Sequence, residues 1–175
     1  MSSFKLKVLL IDLSREYETG IVQKLSKNRF QRNYKLTVGV DICTKDVEFR
    51  RNEIATLSIW EIGIQERFEF IRNTFYKGAA GAIFIFNLRK EQTYIETKRW
   101  LSEIRQSAGH LPFLLIGVNI NLLKLIEKNS LREEIREFTS NEGGFYVETS
   151  PKKFYNITEA INELTKSIIY SRTKN

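Results

Sequence analysis

Short apolar runs separated by longer amphipathic stretches place the strongest constraint on the fold of this 175-residue chain. Four such runs cover residues 5–11, 81–88, 112–118 and 145–149, and apolar side chains dominate each of them. Compact runs of this kind are typical of parallel strands that are covered on both faces. Between and after them, helices are predicted near residues 17–27, 66–76, 91–107, 130–139 and 156–171.

Two longer strands are predicted near residues 38–50 and 53–61, joined by the turn-like residues 50–52. Because so short a link cannot form a parallel crossover, the pair is predicted to be an antiparallel hairpin. The strand–helix alternation elsewhere indicates an α/β fold, with a mostly parallel sheet and helices on both faces. No repeat or linker divides the sequence, so residues 1–175 are predicted to form a single domain.

The cysteine and histidine content excludes several classes of site. Cys43 is the single cysteine and His110 the single histidine, which excludes an internal disulfide framework and a histidine-based metal cluster. No apolar run approaches the roughly 20 residues of a membrane span, and the first residues contain no signal-peptide cleavage region. The last residues lack the cysteine that prenylation requires. A cytoplasmic protein without a lipid anchor is therefore expected.

The net charge of +7 permits attraction to acidic surfaces. Five basic residues cluster between the first predicted helix and the next strand: Lys24, Lys27, Arg29, Arg32 and Lys35. Aromatic residues are few there, so the cluster favours a solvated surface over a nucleic-acid partner. A basic module that docks on acidic lipid or RNA stays an alternative, and its binding would fall steeply with salt.

Residues 57–78 read LSIWEIGIQERFEFIRNTFYKG. Trp60 and residues 65–68 match the motif W-D-T-A-G-Q-E-R-F, so the segment resembles switch II of the Rab and Ras-type small GTPases. Glu61 stands where the motif has the aspartate that serves the metal. Ile64 stands where it has the glycine whose N–H contacts a γ-phosphate, and a β-branched residue lacks glycine's backbone freedom.

Three further segments carry the same resemblance. Residues 33–42, NYKLTVGVDI, are similar to switch I, and residues 71–88, IRNTFYKGAAGAIFIFNL, are similar to the run that follows switch II. Residues 148–152, ETSPK, resemble the family motif E-T-S-A-K. The order and spacing of these matches identify the chain as a degenerate member of the small GTPase superfamily. The resemblance implies a small-GTPase G-domain fold, six-stranded and mostly parallel with one antiparallel strand.

The phosphate loop departs most from the family pattern G-x-x-x-x-G-K-[S/T]. Residues 11–20 read IDLSREYETG, in which no glycine precedes Gly20. Thr19 aligns with the magnesium-binding hydroxyl, but Glu18 aligns with the lysine, and Glu16 adds a second carboxylate. Losing the lysine and the backbone donors forfeits about 5–10 kcal/mol, against the about 12 kcal/mol that a nanomolar ligand has in total. Arg15 would offset part of the repulsion if it reached back over the site.

The base-recognition motif N-K-x-D aligns with residues 118–121, VNIN. Its aspartate accepts two hydrogen bonds from guanine, whereas the Asn121 amide offers one acceptor and one donor group. Pro151 replaces the alanine whose backbone N–H recognises the guanine oxygen, and proline has no N–H. Two separate pockets are therefore altered in one chain.

Other family residues are retained and support an alternative. Thr37 matches the switch I threonine, Gln65 matches the glutamine that orients attacking water, and Asp12 with Glu61 could hold a cation. In the alternative, the chain is an atypical small GTPase of trafficking or signalling. It would bind GTP or a related nucleotide with magnesium and hydrolyse it slowly. Gln65 would be catalytic, and the nucleotide would contact Thr19, Thr37, Asn121 and Ser150.

The favoured interpretation is a Rab-like pseudo-GTPase that serves as a protein-interaction module. No catalytic residue, nucleotide, metal or cofactor is then expected, and internal side chains or a partner should fix the switch segments, with Ile62 and Ile64 filling the site. Ile42, Trp60 and Phe75 match the aromatic trio with which Rab proteins bind effectors on the switch–interswitch face. Trp60 and Phe75 could equally be core residues. Pairing with another G domain stays open.

Overall fold

The computed structural model describes residues 4–15, 21, 39–119, 129–150 and 156–174. A six-stranded sheet has the order β2-β3-β1-β4-β5-β6. Its strands are β1 Phe4–Asp12, β2 Val40–Arg50, β3 Glu53–Ile62, β4 Gly81–Asn87, β5 Phe113–Val118 and β6 Gly144–Glu148. A 3-10 turn, Glu66–Phe68, directly precedes the helix Glu69–Tyr76. The helices are α1 Glu69–Tyr76, α2 Glu91–Ala108, α3 Asn129–Glu142 and α4 Ile157–Thr173.

The strand pairing confirms the predicted fold class. β2 and β3 form an antiparallel hairpin, and the other four described pairings are parallel. Asn52 takes a positive φ of 62° in the hairpin turn, a conformation that asparagine tolerates better than most residues. This is the six-stranded, mostly parallel arrangement of a Ras-like G domain.

Two hydrophobic cores lie on the two faces of the sheet. One core packs β1, β3, β4 and β5 residues such as Val8 and Ile83 against α4. The other packs Leu9 and Phe84 against α1, α2 and α3. Every residue of β4 and β5 is buried, which explains why these strands read as continuous apolar runs instead of alternating ones.

Several predicted boundaries shift by one to three residues. The helix predicted over 66–76 begins with the 3-10 turn, and its α-helical part starts at Glu69. The strand predicted over 145–149 covers Gly144–Glu148. The helix predicted over 17–27 lies outside the described residues except for Ile21, which is buried. Across the described part of the chain, no helix is both long and apolar enough to cross a membrane.

Candidate functional site

The carboxyl ends of the parallel strands β1, β4, β5 and β6 meet at one edge of the sheet, where open α/β sheets bind ligands. Four polar residues in the segments that leave these strands are buried: Ser14, Asn119, Thr149 and Ser150. Buried polar groups are costly unless they are bonded. This edge is therefore the first candidate site.

At the end of β1, hydrogen bonds to the Asp12 side chain stabilise a turn. The backbone N–H and the hydroxyl of Ser14 both donate to Asp12 Oδ1, at 2.9 Å and 2.6 Å. Arg15 follows with a positive φ of 57°, and its guanidinium pairs with Glu96 of α2 at 3.0 Å. Arg15, which would offset phosphate repulsion if it reached over the site, thus pairs with a carboxylate of the chain itself, in a partly exposed ion pair. Residues 16–20, including Thr19, lie outside the described part.

At the ends of β5 and β6, two hydroxyl groups are buried without a hydrogen bond. Thr149 and Ser150 are 0% and 1% exposed, and neither Thr149 Oγ1 nor Ser150 Oγ has a partner among the described residues. Asn119, which aligns within the base motif, is buried with a positive φ of 70°. Asn121, Thr37 and Pro151 lie outside the described residues. Of the four residues that the alternative predicts to contact the nucleotide, Ser150 is the one within the described part of the chain.

The segment equivalent to switch II is tied to the start of β2. Gly63 donates its backbone N–H to the Gly39 carbonyl at 2.8 Å. The buried Phe68 ring packs on both glycines: a Cβ on Gly39 would lie 2.6 Å from Phe68 Cγ, and one on Gly63 would lie 3.0 Å from Phe68 Cδ2. Gly39 also has a φ of 76°. Glycine is therefore required at Gly39 both by its conformation and by this close approach.

Arg72 of α1 holds the same segment from the other side. Its side chain is buried, and Nη2 donates to the carbonyl oxygens of Ile64 and Gln65 at 3.0 Å and 2.9 Å. The guanidinium lies 4.5 Å from the ring centroid of Trp100 in α2. Arg72 is absent from the residues predicted above, although the sequence contains a signal for it. Arg72 is spaced by four residues from the buried Phe68 and Tyr76, so an arginine there needs internal acceptors.

The side chains of this segment divide between core and solvent. Ile62 is buried beneath α1 and α2, Ile64 is half-buried against the same core, and Gln65 is exposed. Glu61 lies opposite Asp41 in the hairpin. Burial and the carboxylates of Asp41 and Glu61 raise the pKa of the Cys43 thiol to about 11. Among the described residues, no group of three or more His, Cys, Asp or Glu side chains could hold a metal ion.

The three predicted partner-binding residues come together on the hairpin and α1. Ile42 lies opposite Trp60 across the β2–β3 ladder, and the rings of Trp60 and Phe75 are 6.3 Å apart. Ile42 is 48% exposed, whereas Trp60 and Phe75 are half-buried and pack at the border of the core. We call these three residues the Trp60 surface. Its role in binding stays a prediction.

Phe70 is another exposed apolar residue, and it is absent from the predicted binding residues. It lies in the first turn of α1 and is 85% exposed. β2 is also an edge strand of the described sheet, so its backbone groups on one side have no strand partner among the described residues. Exposed apolar side chains thus lie on both the hairpin and α1.

Comparisons with known proteins place the chain among the Ras-related proteins. A sequence model described as the Ras family matches residues 7–170. The chain is similar to human Ras-related protein Rab-22A, with 30% identity over 96% of this chain and 86% of that protein. It is also similar to Ras-related protein Rab-25 of Canis lupus familiaris, with 31% identity over 98% and 80% of the two chains. Matches of this extent, together with the G-domain sheet, show that the chain belongs to the Ras family.

Proposed function

We propose that this chain is a Rab-like pseudo-GTPase, a protein-interaction module that neither binds nor hydrolyses guanine nucleotide. It would bind a protein partner through the Trp60 surface. The observation that carries the proposal is the position of Arg72. Its guanidinium holds the Ile64 and Gln65 carbonyls, so the segment that a γ-phosphate orders in active switches is ordered here from within.

The donor set at the phosphate end does not fit a nucleoside triphosphate. Ile64 occupies the place of the glycine, and its side chain packs against the core. Asp12 accepts two hydrogen bonds from Ser14. The sequence adds Glu18 where the lysine should be, without the glycines of a phosphate nest.

The accessible Trp60 surface supports the interaction role. Ile42, Trp60 and Phe75 form one contiguous apolar patch, and Trp60 keeps its indole N–H bonded to Ser58 Oγ at 3.0 Å. The polar atom of the Trp60 ring is thus already satisfied, so contact with a partner would leave no indole N–H unpaired. Tryptophan in such a setting is a frequent binding hot spot.

A second candidate function rests on one observation. The buried hydroxyls of Thr149 and Ser150 have no partner among the described residues, and leaving such groups unpaired costs about 1–3 kcal/mol each. They lie at the edge of the sheet where ligands bind, so a bound base could satisfy them. This favours the atypical nucleotide-binding GTPase, with Gln65 as its water-orienting residue.

Nucleotide content and affinity separate the two functions. The purified protein is denatured, its supernatant is resolved by ion-exchange chromatography, and the native protein is titrated with a fluorescent GTP analogue and magnesium. A small GTPase with complete phosphate-loop and N-K-x-D motifs is the positive control. We expect no released nucleotide and no saturation up to millimolar ligand. Stoichiometric nucleotide or micromolar affinity would overturn the proposal and establish the second candidate.

A further inference from the structure

A lysine lies directly on the Trp60 surface. Lys7 of β1 places its ammonium 3.8 Å from the centroid of the Trp60 ring and donates to the Lys77 carbonyl at 2.8 Å. Burial lowers the pKa of Lys7, because the ammonium has lost part of its hydration. Within the described residues, Lys7 forms no ion pair with a carboxylate. Its charge is therefore available to an incoming anion.

Two more lysines flank this position. Lys5 is two residues before Lys7 on the same strand, so both side chains leave the same face of the sheet. The intervening Leu6 is buried in the opposite core, which agrees with that alternation. Lys77 follows α1, and both Lys5 and Lys77 are exposed. Neither forms an ion pair with any described residue.

Two acidic groups of this face, Asp46 and Glu48, lie on β2 of the hairpin. Asp46 accepts a hydrogen bond from Thr56 Oγ1 at 2.8 Å, and Glu48 accepts one from the Asn52 N–H at 2.9 Å. Both belong to β2, which β3 separates from β1. The apolar patch thus has cations on its β1 side and anions farther along its β2 side.

We propose that the Trp60 surface binds an acidic, apolar segment of a partner protein, with the partner's apolar side chains on Ile42, Trp60 and Phe75 and its carboxylates on Lys5, Lys7 and Lys77. This inference rests on the proposed interaction function and specifies the chemistry of the partner. Complementary charge selects partners and speeds their association. A carboxylate that meets a partly dehydrated ammonium is also screened less than one in bulk water.

The charge distribution favours a peptide over an anionic membrane. A flat anionic surface that contacts the three lysines would also approach Asp46 and Glu48 on the same face. A peptide segment places its carboxylates on one side only and avoids that repulsion. Binding to acidic lipid is therefore the competing outcome of the test.

The test uses two synthetic amphipathic peptides, one with glutamates opposite a leucine and phenylalanine stripe, the other with lysines replacing the glutamates. Binding to the full chain is measured by fluorescence anisotropy. The acidic peptide should bind at least about tenfold tighter than its basic twin. The double variant Lys5→Glu/Lys77→Glu should remove that preference, because both exposed cations are reversed. Lys90→Glu/Lys174→Glu, with the same change in net charge at exposed sites elsewhere, should retain it.

The outcomes separate this inference from the proposed function. Equal affinity for both peptides, loss of the preference in the Lys90/Lys174 control, or preferential binding of phosphatidylserine vesicles through the same lysines would overturn the inference. Absence of any binding of the acidic peptide up to millimolar concentration would also contradict it. If Trp60→Ala abolishes peptide binding while the Lys5/Lys77 reversal changes nothing, the interaction function stands without this charge selectivity. Nucleotide retention is measured separately and bears on the proposed function alone.

Discussion

At the scale of single residues, Arg72 is the side chain most open to a direct test. Arg72→Leu keeps an apolar side chain at this buried position but removes the donors to the Ile64 and Gln65 carbonyls. We expect a loss of about 1–3 kcal/mol in the free energy of unfolding, and faster hydrogen exchange confined to residues 63–68. Arg99→Leu is the matched control, because Arg99 is an exposed residue of α2 and should change stability by less than about 0.5 kcal/mol. Equal effects of the two substitutions would contradict the assigned role.

A substitution at Thr149 tests whether a ligand binds the buried hydroxyl groups. Thr149→Val replaces an unpartnered, fully buried hydroxyl with a methyl group of similar shape. If no ligand uses it, the change should leave the free energy of unfolding unaltered or raise it by up to about 1–2 kcal/mol. Thr165→Val provides the contrast, since Thr165 is equally buried but donates to the Ile161 carbonyl at 2.7 Å. A clear destabilisation by Thr149→Val, measured by urea unfolding, would indicate that the hydroxyl is bonded in solution.

At the scale of elements, the Phe68 ring links the start of β2 to the segment that follows β3. Gly39→Ala would bring a Cβ to 2.6 Å from Phe68 Cγ at a φ of 76°. Gly78→Ala is a close control, because Gly78 has a φ of 75° and open space around it. Gly78→Ala should cost about 1 kcal/mol for its backbone conformation, and Gly39→Ala should cost clearly more. Equal melting temperatures for the two variants would show that the Phe68 contact does not hold these elements together.

The elements also show what the sequence could and could not predict. The strands β4 and β5 were predictable because burial on both faces leaves an unbroken apolar run. The hairpin was predictable because its link is too short for a crossover. The Arg72 contacts were not, since acceptors on Ile64 and Gln65 exist only once the segment has turned back over α1. The packing of Phe68 on Gly39 was not predictable either, because these residues are distant in sequence and meet only in the folded sheet.

At the scale of the whole molecule, the proposed function predicts a melting temperature that does not change when nucleotide is added. A ligand that binds only the folded state stabilises it by RT ln(1 + [L]/Kd). With a Kd of about 1 mM or weaker, 1 mM GTP adds at most about 0.4 kcal/mol, or roughly 1–2 °C for a chain of this size. A nanomolar ligand at that concentration would add about 8 kcal/mol.

Differential scanning fluorimetry with GTP, ATP and magnesium distinguishes these cases, and magnesium alone serves as the control for ionic effects. A shift of ten degrees or more, specific to one nucleotide, would contradict the pseudo-GTPase proposal (the figure is at least about five times the weak-binding limit). If nucleotide does not change the melting temperature, contacts within the protein must hold the switch segment in the conformation that a nucleotide fixes in active switches. Arg72, Phe68 and the Gly39–Gly63 hydrogen bond are the described contacts able to supply it. Two results together would therefore connect the stability of the whole molecule to that one side chain. They are a melting temperature of the unsubstituted chain that nucleotide does not change, and faster hydrogen exchange at residues 63–68 in Arg72→Leu.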